Sequence, residues 1–338
     1  MADTSKEHPF AQYVRTIARG PNLSRALTEQ EALDATRMIL RGEVEPLQLG
    51  AFLCVLRVRT EDPGEGAGFV RAVKETIDIP AGARADLDWS AYAGKKRQLP
   101  WFMLSALLLA ANGIRVLMHG TEGHTAGRVY ARETLAALGV PTAASLEDAA
   151  GQIEARNFAY LPLASFAPRL QEILELKSIL GVRSPVNTFA RMINPLNAPY
   201  SIQSIFHPNY REIHREVSRL LGQPHMAVFK GEGGEIERRP EKPVTVEALH
   251  DDKNEDEDWP ALIEAPRSTD ETMDLARLKA LWQGREKDHY AEMIVIGTAA
   301  LALRLMGRAK SPAEADAAAR RMWAARPAEI LKSASRAA

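Results

Sequence analysis

Apolar and polar positions change rhythm along this chain, and the change marks where helices give way to strands. In residues 27–60, "LTEQEALDATRMILRGEVEPLQLGAFLCVLRVRT", apolar residues recur every three to four positions, the spacing of two amphipathic helices. Thr28 and Glu31 have the spacing of a capping box, Gly42 suits the end of the first helix, and Pro46 suits the first turn of the second. "GFVRAVKETI" (68–77) predicts another amphipathic helix. The opening of the chain therefore reads as a helical unit.

From about residue 90, short apolar runs bounded by turn residues take over. They predict strands at 113–120, 158–163, 201–206 and 225–230, with helices at 128–140 and 209–222. Alternating strand and helix implies an α/β fold with a mostly parallel central sheet. Residues 169–193 return to helical spacing. The expected organisation is a small, discontinuous helical domain, residues 1–85 with a return at 165–195, and a large α/β domain from 86–164 and 196–338. Helices are predicted at 292–307 and 313–331, the first apolar almost all round and so buried. Residues 231–270 mix Gly, Pro and charge with weak periodicity and predict an exposed excursion.

Composition adds limits. Hydrophobic residues make up 46% and charged residues 26% of 338, as in ordinary globular proteins. Cys54 is the only cysteine, so no intrachain disulfide forms; in "LGAFLCVL" it reads as a buried structural thiol. "MADTSKEHPF" has no apolar signal region, and "WFMLSALLLAANGI" is too short to span a bilayer. A soluble cytoplasmic protein is expected. The net charge of −1 conceals a segregation: "DDKNEDED" (251–258) holds six acids and one lysine, leaving +4 on the rest. That run is expected to be a mobile loop; a sharper reading has it repel nucleic acid from a basic cleft.

The candidate chemistry centres on "WSAYAGKKRQLPWFM" (89–103). Lys95, Lys96 and Arg97 could hold one phosphate, hold a polymer of phosphates, or be a solvated loop. Trp101, among apolar neighbours, reads as core. His119 and His124 lack a third ligand at suitable spacing, so no metal is expected. "GEGGE" lacks the Gly-Lys-Ser/Thr ending of a phosphate loop, and Glu235 alone reads as solvated.

Four motifs in order resemble the anthranilate phosphoribosyltransferase family and the related pyrimidine nucleoside phosphorylases. They are "NLSRALTEQEALDATRMILRGEVEPLQLGAFLCVLRVRT" (22–60), "AANGIRVLMHG" (110–120), "LGVRSPVNTFARMINP" (180–195) and "GTAALAL" (297–303). The resemblance covers nearly the whole chain. It implies a phosphoribosyltransferase-type fold and a homodimer through the helical domain. His119, Gly120, Arg183 and Asn187 match family site positions, the last two at the aromatic-acid substrate site.

The donor-binding motifs depart from the family. Its glycine-rich "GTGGD" loop, which cradles pyrophosphate on backbone N–H groups, stands here as "SAYAGK" (90–95). The following anchor is "PWFM" (100–103), the lysine before the His-Gly pair is Met118, and the acidic metal-binding pair is reduced to Glu235 in "GGEI". Positive charge stands in its place, and the pattern resembles the YbiB branch of nucleic-acid-binding homologues. The resemblance therefore implies a sequence-tolerant binder of single-stranded DNA or RNA, without catalytic residues, metal or cofactor. The residues assigned to nucleic-acid or anion binding are Tyr92, Lys95, Lys96, Arg97, Arg128, Arg183, Arg191, Lys230, Arg238 and Arg239; Arg115 and His124 lie near them in the chain. The alternative is a phosphoribosyltransferase or nucleoside phosphorylase with an altered donor site. A third reading is a small anionic metabolite.

Overall fold

The computed structural model describes residues 7–123, 125–264 and 272–331. Four helices open it: α1 (Ala11–Ala18), α2 (Glu29–Leu40), α3 (Pro46–Arg59) and α4 (Pro63–Lys74). Then come β1 (Leu87–Ala91), α5 (Phe102–Ala111), β2 (Val116–Gly120), α6 (Ala131–Leu138), α7 (Leu146–Arg156) and β3 (Phe158–Pro162). Short helices α8 (Leu163–Phe166), α9 (Pro168–Glu175), α10 (Lys177–Leu180) and α11 (Val186–Phe189) lead to β4 (Tyr200–Ile205), α12 (Tyr210–Leu220) and β5 (His225–Lys230). A hairpin, β6 (Val244–His250) and β7 (Lys253–Trp259), precedes α13 (Ala276–Trp282), α14 (His289–Leu305) and α15 (Pro312–Ala324).

The architecture is a small helical domain beside a larger α/β domain with a mostly parallel sheet. Local chemistry starts the helices as expected: Thr28 Oγ1 accepts from the Glu31 N–H at 3.2 Å, and Glu31 Oε2 accepts from the Thr28 N–H at 2.9 Å. The helices between β3 and β4 pack back on the opening bundle, with the Phe69 and Phe189 ring centroids 5.3 Å apart.

The strand order is β3-β2-β1-β4-β5-β6-β7, parallel through the first five and antiparallel at the hairpin. Both faces of the parallel part are covered, which is why β1, β2 and β3 are buried throughout. One face packs on the apolar helices α5 and α14, the other on α7 and the helical domain. From β1 the chain winds outward to β2 and β3, then returns to β4 on the other side of β1. Strand order reverses there, so a crevice opens at the carboxyl ends of β1 and β4, the usual ligand position in such sheets.

Two expectations are corrected. Residues 244–259 of the expected excursion are a paired hairpin, and the acidic run 251–258 forms its turn and most of edge strand β7. Successive β7 side chains face opposite ways, and each side meets arginines. Asp256 pairs with Arg215 of α12 at 2.6 Å, and Glu257 pairs with Arg304 of α14 at 3.2 Å. Arg219 adds a pair to Asp252 in the turn at 2.6 Å. Opposite charge thus fixes a segment whose composition disfavours strand. Cys54 is half-buried rather than buried. Among the described residues no helix is long and apolar enough to cross a membrane.

Candidate anion-binding groove

The backbone leaving β1 turns at Gly94, whose φ of +66° is left-handed and where a Cβ would lie 2.9 Å from the Tyr130 ring. Lys95 then pairs with Val129 in an antiparallel bridge. This turn exposes the N–H groups of Ala93 and Gly94, the geometry of an anion nest. The nest is filled from within: both donate to Glu235 Oε1, at 2.7 and 2.5 Å. Glu235 is buried, contrary to the solvated expectation. Burial pushes its carboxyl upward, while Arg191 and the two N–H groups pull it back.

Lys95 is also turned inward. It is 3% exposed and forms an ion pair with Glu237 Oε1. Glu237 Oε2 accepts from the Phe102 N–H at 3.0 Å, where α5 begins. The Glu235–Glu237 segment is carried by a tight turn at Gly231, where a Cβ would lie 1.8 Å from the Glu235 carbonyl oxygen.

Beyond this floor lies a groove of ≈ 710 Å³. Lys96 and Arg97 reach it from the β1 loop, Lys230 from the end of β5, and Lys242 from the approach to β6. All four are exposed. Arg128 lines it half-buried, its Nη1 donating to the Ala93 and Gly94 carbonyls at 3.0 and 2.9 Å. Arg211 and Arg239 line it while paired, Arg211 to Glu247 at 2.7 Å and Arg239 to Glu241 and Glu232. Glu232 is an acid on the lining.

A second cavity of ≈ 130 Å³ adjoins the groove, with Phe206 lining both. Arg57, Arg183, Asn187 and Arg191 line it. Arg191 Nη1 donates to the Gly234 carbonyl at 3.1 Å, and its guanidinium sits 5.8 Å from the Tyr92 ring centroid. Arg183 is exposed, and Asn187 Nδ2 donates to the Ser184 carbonyl at 3.1 Å.

The residues chosen from sequence therefore divide. Lys96, Arg97, Arg128, Lys230 and Arg239 meet at the groove; Arg183, Asn187 and Arg191 meet at the cavity. Three assignments are corrected. Lys95, though on the lining, is committed to Glu237. Tyr92, though on the lining of the cavity, is buried with its hydroxyl 2.8 Å from His119 Nδ1, and at 2% exposure it shows too little ring to stack a base. Arg238 is buried, paired to Asp316 at 3.0 Å and stacked 4.8 Å from the Trp259 centroid, and serves packing. His119 and Gly120 line neither space: His119 is buried beside Asp88, and a Cβ at Gly120 would lie 1.9 Å from the Ala91 carbonyl oxygen. Arg115 pairs with Asp86 away from the groove, Trp101 is buried as expected, and His124 lies outside the described residues.

Sequence reasoning missed Phe206, Arg211, Lys242 and Glu237. Lys242 follows Arg238-Arg239 closely enough to have been found. Phe206 carried no signal beyond ending a strand.

Comparison with known proteins agrees with this fold. The helical bundle domain of the glycosyl transferase family matches residues 11–77, and the family's a/b domain matches residues 103–325. An uncharacterised protein of Aquifex aeolicus is 30% identical over 223 residues, 65% of this chain and 67% of that one. The uncharacterised protein YbiB of Escherichia coli is 28% identical over 206 residues, 60% of this chain and 64% of that one. The matched segment thus spans about two thirds of each of these relatives. The crystal structure of anthranilate phosphoribosyltransferase from Thermus thermophilus superposes with a TM-score of 0.80 at 25% identity, covering 94% of this chain and 95% of that one.

Proposed function

The chain belongs to the glycosyl transferase family built from a helical bundle domain and an a/b domain, and on that premise we propose that it binds single-stranded nucleic acid, without base preference, in the groove. One observation carries this reading. The protein's own carboxylates occupy the Ala93–Gly94 nest and Lys95, whereas Lys96, Lys230 and Lys242 line open space beside them. The groove's cations come from three separate segments, the β1 loop, the end of β5 and the approach to β6, and phosphate contacts are indifferent to sequence. The test is fluorescence polarisation with labelled oligonucleotides of unrelated sequence at several salt concentrations. Similar affinities that fall steeply with salt support the reading. No binding at low salt ends it.

A second reading, phosphoribosyl transfer, is favoured by the comparisons. The superposed Thermus protein is a phosphoribosyltransferase, and Arg183 and Asn187 still line a cavity beside the groove. Anthranilate, phosphoribosyl pyrophosphate and Mg²⁺ are mixed with the protein and anthranilate fluorescence is followed. Sustained turnover at ordinary enzymic rates would establish transfer as the primary function. For that chemistry Glu235 would have to leave the nest.

Self-association belongs to the same proposal. Leu47 and Val58 stand exposed on α3, eleven residues apart and so on one face, with Ile179 exposed on adjoining α10. Two copies joined there would present two grooves to one strand and raise affinity through effective concentration. Native mass spectrometry at micromolar protein should give a dimer. Such a protein would work in the cytoplasm, where a single unpaired cysteine persists as a thiol.

A further inference from the structure

Phe206 stands at the switch point with more than half of its surface exposed. It follows β4, is 57% exposed, and lines both the cationic groove and the smaller cavity. The His207 ring packs edge-on against it, at 4.9 Å between centroids. An aromatic ring left in water among cations forgoes the gain of burial, unless a planar ligand covers it. On the cavity side, the Ser184 side-chain oxygen is buried with no hydrogen-bond partner among the described residues, and the Asn187 amide lies beside it on the same lining. On the groove side are Lys96, Arg97 and Lys230.

We propose that Phe206 is the stacking platform for a nucleobase of the bound single strand, with the phosphates along the groove and the base edge turned toward Ser184 and Asn187. The platform rests on the groove reading above and adds to it the half of the ligand that cations do not recognise. Stacking accepts any base, because every base has a π face. It therefore sharpens the preference for single strands over duplex, whose bases are already stacked, without creating sequence specificity.

The experiment separates bases from phosphates. Oligothymidine and an abasic oligomer of equal length and charge are titrated against the wild type, Phe206→Ala and Phe206→Trp. Phe206→Ala should bind oligothymidine roughly 10-fold more weakly and the abasic oligomer as the wild type does, with an unchanged salt slope. Phe206→Trp should retain affinity, and its new indole fluorescence should be quenched by oligothymidine but not by the abasic strand. A melt of each variant accompanies the titrations. Equal loss on both oligomers means that Phe206 only shapes the groove and overturns the platform. So does no loss on either. If the wild type binds neither oligomer at low salt, the groove reading has failed and the platform falls with it.

Discussion

Lys95 and Lys96 are neighbours in the chain and opposites in the structure. Lys95 belongs to a floor, buried with Glu237 and Glu235 beneath the β1 loop and beside the half-buried Arg191. Lys96 belongs to a rim, exposed on an open groove with Arg97, Lys230 and Lys242. The bridge to Val129 holds Lys95 with its side chain inward, and the bend that follows leaves Lys96 and Arg97 exposed, so a run that reads as one basic cluster is cut in two. The floor spends its charge on internal carboxylates. The rim faces solvent. Positive charge near a site is therefore no measure of what the site can hold until each cation's own partner is known.

The largest effect should come from the floor. Lys95→Met leaves Glu237 buried without its counter-ion, which typically costs about 3–5 kcal/mol. The melting temperature should drop sharply. Lys95→Met with Glu237→Gln should recover much of it, because the buried charge is gone and the amide oxygen can still accept from the Phe102 N–H. A single variant that melts like the wild type would erase the distinction between floor and rim.

The rim should show the reverse. Replacing Lys96, Arg97, Lys230 and Lys242 together with Ala should leave stability within about 0.5 kcal/mol per site. If each cation neutralises one phosphate, the slope of log affinity against log salt should flatten by about 3, at roughly 0.7 per contact on a single strand. Polarisation titrations beside a thermal melt check both halves. Unchanged slope and affinity would make the rim a solvated edge.

A smaller effect distinguishes the buried side through pH. His214, on α12 at the cavity lining, is held neutral: burial, and secondarily Arg191, push it down to about 3. Its Nδ1 lies 2.7 Å from Gln203 Oε1. The unfolded chain takes up a proton below about pH 6.5 and the folded chain does not, so this contribution is complete above 6.5 and is lost as pH falls toward 3. Between pH 6.5 and 5 the loss is about 2 kcal/mol. His214→Asn keeps a donor toward Gln203, and its stability should fall less steeply than the wild type's over that interval. Parallel pH profiles from denaturant titrations would remove His214 from the account.

The sequence pattern carried the helical bundle and four of the seven strands because these elements bury one face or two and show it in their spacing. It hid β1, where "LDWSA" puts an acid inside the strand; Asp88 Oδ2 accepts there from Ser201 at 3.0 Å and Oδ1 stands 3.2 Å from His119 Nε2, neighbours that arrive only when β2 and β4 pair with it. The same reasoning applies to the site. Lys96 and Arg97 were legible as a basic run ahead of an apolar helix, and Lys230 as a cation at a strand end. The burial of Lys95, Tyr92 and Arg238 was not, because each is decided by one distant residue: Glu237, His119 and Asp316. Phe206 was invisible because exposure of a strand-terminal aromatic depends on what the neighbouring strand ends leave uncovered.

The smallest effect concerns the acidic edge, which on composition alone could compete with a polyanion for the basic groove. The structure gives it other partners. Asp256 is held by Arg215 and Glu257 by Arg304, on opposite faces of β7. Charges already paired at close range project little field, and what remains beyond a Debye length of about 8–10 Å is screened. Asp256→Asn should therefore change oligonucleotide affinity less than about two-fold at physiological salt. Its stability cost should stay below about 1 kcal/mol, the usual worth of a partly exposed pair. Polarisation at 20 and 150 mM salt, beside a melt, measures both quantities. A gain in affinity of ten-fold or more at both salts would mean that the edge strand competes with the ligand, and the division would then run between groove and edge rather than between floor and rim.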